Sequence, residues 1–217
     1  MHSLFSKLKC GLLAAVILAL SVLVSGCEGP ESKEHSANLE KQNTLRQEMR
    51  KLWEDHITWT RLVIVSTAAN LPDLDATTQR LLQNQTNIGD AIKPFYGDTA
   101  GTKLTALLRE HIIGAANVLA AAKAKDQAKL AAAKTAWYAN ADEIAAFLSG
   151  ANPSTWTPAG TQEMMKEHLD LTLAEAVDQL QGHYPESVID YDKVHEAILR
   201  MADMLSSGII QQFPKQF

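Results

Sequence analysis

The sequence predicts an all-α protein, an up-down antiparallel bundle of about six helices arranged as three quasi-repeated helical hairpins. Three observations lead there. From Leu39 onward apolar residues recur at helical spacing, and no segment alternates as a half-buried strand would. The periodic segments are long and the breaks between them short, which makes consecutive helices antiparallel neighbours. The breaks also carry the residues that end and start helices, namely Gly, Pro, Asp and Thr.

In chain order, helix 1 spans about 40–69 and stops at Asn70-Leu71-Pro72-Asp73. Helix 2 spans about 74–94 and ends near Pro94-Phe95-Tyr96-Gly97. Helix 3 follows Asp98 and ends near Lys123. Asp126 caps helix 4, which Gly150 ends, and a loop with Pro153 and Trp156 follows. Thr157-Pro158 supplies an N-cap and a first-turn proline for helix 5, which Gly182 closes. Tyr184-Pro185-Glu186 opens helix 6, which runs to about Gln212 before Pro214. Alanine-rich stretches, Ala120 to Ala122 and Ala131 to Ala133, favour helix and allow close approach of neighbours.

The N-terminus reads differently. Lys7 and Lys9 precede an apolar run from Gly11 to Val24, and Leu23-Val24-Ser25-Gly26-Cys27 closes it. A charged head, a short apolar run and small residues before a cysteine are the layout of a lipoprotein signal. Residues 1–26 would be removed and Cys27 would carry lipid. An uncleaved membrane anchor is the alternative, but it would have no need of the small-small-Cys ending. Residues 27–39 then form the lipidated cysteine and a polar, flexible tether, and 40–217 form one domain. The expected location is extracytoplasmic, on the cell membrane or envelope, with membrane lipid as the partner through the anchor. The protein partners are unknown at this stage.

Removing the signal takes away two lysines and no acid, so the net charge moves from −5 to −7. Such a chain has no electrostatic reason to seek nucleic acid. Cys10 leaves with the signal and Cys27 is the lipid site, so the domain has no disulfide and no thiolate ligand.

A motif recurs three times: Leu52-Trp53-Glu54-Asp55-His56, Leu107-Leu108-Arg109-Glu110-His111 and Met164-Met165-Lys166-Glu167-His168. The histidines are 55 and 57 residues apart, one in the first helix of each hairpin. Each lies about 12–13 residues before its helix end, so at about 1.5 Å per residue all three share one level. His195 and Tyr138, on the returning helices, fall near that level. Each histidine also lies on an apolar stripe: His56 with Met49 and Val63, His111 with Leu104 and Val118, His168 with Met164 and Leu171, His195 with Val188 and Ile198.

The expectation is a polar layer of His56, His111, His168, His195 and Tyr138 in mid-bundle. Neutral imidazoles there would bind a transition metal, a non-covalent haem or a small ligand, with Glu175, Asp192, Glu110 or Glu167 as supporting carboxylates. Met164 and Met201 could add soft sulfur donors. The alternative is a packing device in which the histidines bond to Tyr138, the acids and each other. Asp192-x-x-His195 is the only approximation to a di-iron signature, and there is no Cys-x-x-Cys-His for covalent haem. Trp53, Trp59 and Trp137 read as core, Arg61 as an ion-pair partner, and Trp156 as a lid over one bundle end or an exposed contact. No phosphate loop, nucleophile elbow or His-Glu-x-x-His is present, so the expected function is non-enzymatic binding. A structural or protein-interaction lipoprotein is the second expectation, a metal-dependent enzyme the third.

Leu52-Trp53-Glu54-Asp55-His56-Ile57-Thr58-Trp59-Thr60-Arg61 resembles the opening of a family of small, uncharacterised bacterial helical-bundle proteins. Ala91-Ile92-Lys93-Pro94-Phe95-Tyr96-Gly97, Trp137-Tyr138-Ala139-Asn140-Ala141-Asp142, Glu167-His168-Leu169 and Met201-Ala202-Asp203-Met204 extend the likeness over most of residues 45–215. The resemblance implies a helical fold and no established activity. Some relatives carry an acetylglutamate kinase label, but that chemistry needs a parallel sheet and a phosphate loop, and this chain has neither pattern.

Cys27→Ala should abolish incorporation of labelled palmitate and release the chain from the membrane fraction. A variant that stays membrane-bound would instead identify residues 1–26 as a retained anchor.

Overall fold

The computed structural model describes residues 30–217, with side chains from Glu34 onward; the signal-like segment and Cys27 lie outside them. Of the described residues 91% are helical and none is in a strand. The helices are α1 (Pro30–Ala69), α2 (Leu74–Lys123), α3 (Gln127–Ala151), α4 (Pro158–Gln181) and α5 (Tyr184–Gln212), followed by a 3₁₀ turn at Pro214–Gln216.

The helix ends follow from local chemistry. The Asp126 side chain accepts from the Lys129 backbone N–H at 3.1 Å. Thr157 does the same for Gly160 at 3.2 Å, with Pro158 in the first turn. Gly182 takes the left-handed conformation (φ 80°), and the next N–H, that of His183, returns to the Asp178 carbonyl at 2.9 Å.

One boundary differs from expectation. α1 starts at Pro30, ten residues before position 40, so the described part of the expected tether is helical, though residues 34–44 are mostly exposed. Nothing between Pro30 and Leu39 breaks a helix, and proline suits the first helical position. A helix without apolar partners leaves no periodic signal.

The break expected near Gly97 is present: α2 consists of two helical arms separated by non-helical backbone at Gly97 (φ 83°, ψ 167°). The span folds back on itself. Gly89 and Gly101 would stand about 18 Å apart on a straight helix. Instead, a Cβ on Gly89 would lie 2.6 Å from the Gly101 carbonyl oxygen. Arg109 likewise donates to the Leu82 carbonyl at 3.2 Å. Only glycine holds the Gly97 conformation without strain.

Hydrogen bonds between neighbours show residue numbers falling in one helix as they rise in the next. α1 meets α5 through Arg50–Asp203 (2.5 Å), Glu54–His195 (2.8 Å) and Thr58–Tyr191 (3.4 Å). α3 meets α4 through Tyr138–Asp170 (2.5 Å) and Thr161 to the Ala145 carbonyl (3.2 Å). α4 meets α5 through Glu167–Arg200 (2.7 Å) and Ser187 to the Glu175 carbonyl (3.2 Å).

One apolar cluster runs through these helices and includes Met49, Ile57, Leu107, Ile144, Leu169 and Ile198. Trp156 is buried and closes one end beside Tyr96, its indole N–H donating to the Met204 carbonyl at 3.3 Å. Of its two sequence readings, the lid is the one observed.

Gly89→Ala should cost about 1–3 kcal/mol, because its methyl would meet Thr105 and the Gly101 carbonyl. Gly150→Ala, with open space around it, should be neutral or stabilise by up to about 1 kcal/mol. Urea unfolding of both variants checks the contrast.

Candidate functional site

His56 on α1, His111 on α2 and His168 on α4 are all buried, at 2%, 3% and 4% exposure. The His168 ring lies between the others, 5.6 Å from His56 and 6.1 Å from His111, centroid to centroid. Trp53 stands edge-on to His56 at 5.6 Å, and Trp137 lies 5.3 Å from His111. The histidines of the three motif copies thus meet in the core.

The hydrogen bonds around the layer set the tautomer of His111. Asn140 donates its amide to the Leu107 carbonyl (3.2 Å), which turns its oxygen toward His111 Nδ1 (3.0 Å). His111 therefore carries its proton on Nδ1 and keeps a lone pair on Nε2. The Gln85 amide nitrogen donates to the Leu81 carbonyl (2.8 Å) and the Asn84 side-chain oxygen (3.1 Å), and it also lies 3.2 Å from His56 Nδ1. His168 Nδ1 is buried with no partner.

All three rings are neutral. Burial pushes His56 down to about 3, with His111 as a neighbouring charge adding to the fall. Burial pushes His111 down to about 4, against a bond to Asn140 that favours the proton. His168 falls well below its ordinary value through burial and then through both neighbours.

The nearby carboxylates are engaged elsewhere: Asp55 with Arg80 (3.2 Å), Glu54 with His195 (2.8 Å), Glu167 with Arg200 (2.7 Å) and Asp170 with Lys166 (2.5 Å). Glu110 is exposed.

The other expected members stand apart from this layer. His195 is 40% exposed in its side chain and pairs with Glu54 across the α1–α5 seam. Val194, its neighbour, takes the core position, and adjacent helical residues point about 100° apart. Tyr138 is displaced in the same way by the buried Trp137 and donates to Asp170; burial and that carboxylate raise its phenol. Asp192 is exposed on α5.

Glu175 is buried but belongs to a separate cluster. Arg61 reaches its carboxylate at 3.0 Å and the Ser187 hydroxyl at 2.5 Å, tying α1, α4 and α5 together. Burial raises Glu175 to about 7, partly opposed by Arg61. This bears out Arg61 as an ion-pair partner.

Gln85, Asn140 and Ser187 were not singled out in the sequence. Gln85 and Asn140 do sit at core spacing, between Leu81 and Ile88 and between Trp137 and Ile144. A buried position carrying an amide was the available signal.

One turn beyond the imidazoles lies a cavity of about 50 Å³, lined by Thr60, Ile64, Ile112, Ala115, Trp137 and Thr172 among others. Thr60 and Thr172 donate their hydroxyls to the His56 and His168 carbonyls at 2.8 Å, so the space between them is apolar. It is far smaller than the roughly 300–1,000 Å³ of cofactor pockets. Among the described residues no three His, Cys, Asp or Glu side chains converge to hold a metal ion. Comparison with known families, curated proteins and solved structures finds no match, so the site is read from its own chemistry.

The depressed histidines make stability depend on pH with a definite sign. Their contribution is complete above about 6.5 and falls below it, because the unfolded chain takes up protons that the native core refuses. At pH 5 this amounts to about 2 kcal/mol per histidine. Glu175 works the other way, gaining a proton in the native state below about 7. The net expectation is a loss on the order of 4 kcal/mol between pH 7.5 and pH 5. Urea midpoints at the two pH values measure it, and equal midpoints would place the imidazoles in contact with water.

Proposed function

We propose that this chain is a membrane-anchored, extracytoplasmic, non-enzymatic helical bundle that binds a metal ion or small ligand at its central imidazole layer. Its architecture on this reading is three quasi-repeated hairpins in up-down order, each contributing one histidine from its first helix. The observation that carries the proposal is His168 Nδ1: a buried ring nitrogen without a partner, between two other neutral imidazoles. An unpartnered buried polar atom costs about 1–3 kcal/mol, and an occupant would recover it. The layer offers lone pairs and N–H groups but no nucleophile and no free carboxylate, which favours binding over catalysis. Haem is set aside, since the neighbouring cavity of about 50 Å³ is too small for the macrocycle.

A second reading, in which the layer is a packing device and the protein a structural or interaction lipoprotein, draws on Gln85 and Asn140. Asn140 already satisfies one nitrogen of His111, and the Gln85 amide nitrogen lies 3.2 Å from His56 Nδ1.

The full-length chain, purified in detergent without a histidine tag, should show a stoichiometric occupant by elemental analysis or native mass spectrometry. The His56/His111/His168 triple alanine variant should lose it. A wild-type protein that is empty and refuses added metals would favour the second reading.

A further inference from the structure

We infer that the apolar cavity one turn beyond the imidazoles is a binding site for the end of a straight alkyl chain, with the polar head of the amphiphile left outside in water. The site is separate from the imidazole layer and stands whether or not that layer has an occupant.

The cavity originates in small residues. Ala115, Ala116 and Ala122 on the second arm of α2 and Ala176 on α4 line a space of about 50 Å³. Larger side chains at these positions would fill it to the density of an ordinary core. Its floor is buried and branched, with Val63, Ile64, Leu81 and Ile112. Its half-buried wall residues include Ala115, Ala116, Ala176, Val177 and Leu180. These lie on α2 and α4, so the space reaches the surface between the two helices.

Polarity excludes other classes of ligand. No charged side chain lines the space. Thr60, Thr78 and Thr172 donate their hydroxyls to the carbonyls of His56, Leu74 and His168, at 2.8, 2.7 and 2.8 Å. A buried water needs roughly two to four polar partners, a metal ion a set of donors and an anion a cation. The Trp137 indole N–H alone meets none of these needs.

Size narrows the class further. A water-sized sphere occupies about 10–15 Å³, so the space holds about four. One benzene ring takes a comparable apolar cavity of about 150 Å³, about three times what is present. About four carbons of an unbranched chain fit where a ring does not. The opening between α2 and α4 lets such a chain enter end-on and keep its head in water. The lipid expected on Cys27 is not this occupant. Thr60 lies about 30 residues along α1 from Pro30, or about 45 Å. A lipid tail spans about 15 Å, half of a bilayer's hydrocarbon core. The chain therefore belongs to a second molecule.

The test uses the full-length chain in digitonin, a sterol detergent without a straight alkyl tail. Sodium butanoate, hexanoate, octanoate and decanoate serve as probes, followed by methyl ¹H–¹³C spectra and tryptophan fluorescence. The expected result is one alkanoate per chain, with shifts at the Ile64, Ile112 and Leu180 methyls. Affinity should rise about fourfold per methylene until about four carbons are inside, and then level off. Ala176→Leu, which fills the space, should weaken octanoate binding by about tenfold or more. Ala132→Leu, the same change at an exposed position of α3, should leave it unchanged. The wild-type chain-length series decides the question should Ala176→Leu fail to fold. Xenon under pressure probes the cavity itself. Xenon shifts at these methyls without alkanoate binding would overturn the inference and leave a closed void. Affinity that rises without levelling, and without shifts at these methyls, would overturn it as surface adsorption. A chain that responds to neither probe would overturn it as well.

Discussion

An imidazole in a dry core has to stay neutral, and much of the layer's surroundings can be traced to that constraint. His168 lies within about 6 Å of both His56 and His111, and these rings could not carry protons together without strong repulsion. The helices accordingly place amides beside two of them, not acids. Asn140 on α3 is oriented by the Leu107 carbonyl of α2, so the His111 tautomer follows from the geometry of a neighbouring helix. The motif acids, one or two residues before each histidine, turn away from the layer: Asp55 pairs with Arg80, Glu54 with His195 and Glu167 with Arg200, while Glu110 is exposed. Where a carboxylate is buried, at Glu175, it brings its own arginine and sits in a separate cluster.

The backbone makes this arrangement possible. α1, the second arm of α2 and α4 bring the three histidines together in the core. The tightest return is at Gly97, where Gly89 and Gly101 let the two arms of α2 touch backbone to backbone. Trp156 closes the bundle end over Gly208, whose carbonyl also accepts from Asn152. Small residues at close approaches and large aromatics at the ends are what an alanine-rich bundle needs to reach native packing density.

Much of this was legible in the sequence, for a physical reason: strong helix signals survive without tertiary context. Asp126, Thr157-Pro158 and Gly182 mark boundaries that the structure keeps to within a residue. The level of His56, His111 and His168 followed from counting residues to the helix ends. The membership of His195 and Tyr138 did not, because level along a helix is easier to read than rotation about it. Val194 and Trp137 compete with them for the core and win by apolar area. Gln85 and Asn140 escaped notice because amides on helices usually face water. The helical start at Pro30 escaped because an exposed helix has no apolar stripe.

The central claim is that three native imidazoles are neutral and shielded, which leaves lone pairs available to a ligand. Its most direct measurement is a pH titration of the histidine ¹⁵N shifts in the folded protein. The account predicts that the His56, His111 and His168 signals hold their neutral, tautomer-specific positions from pH 7.5 down to the onset of unfolding. His111 should keep its proton on Nδ1. Titration of any of the three near 6.5 in the folded state, or rapid tautomer averaging, would contradict it.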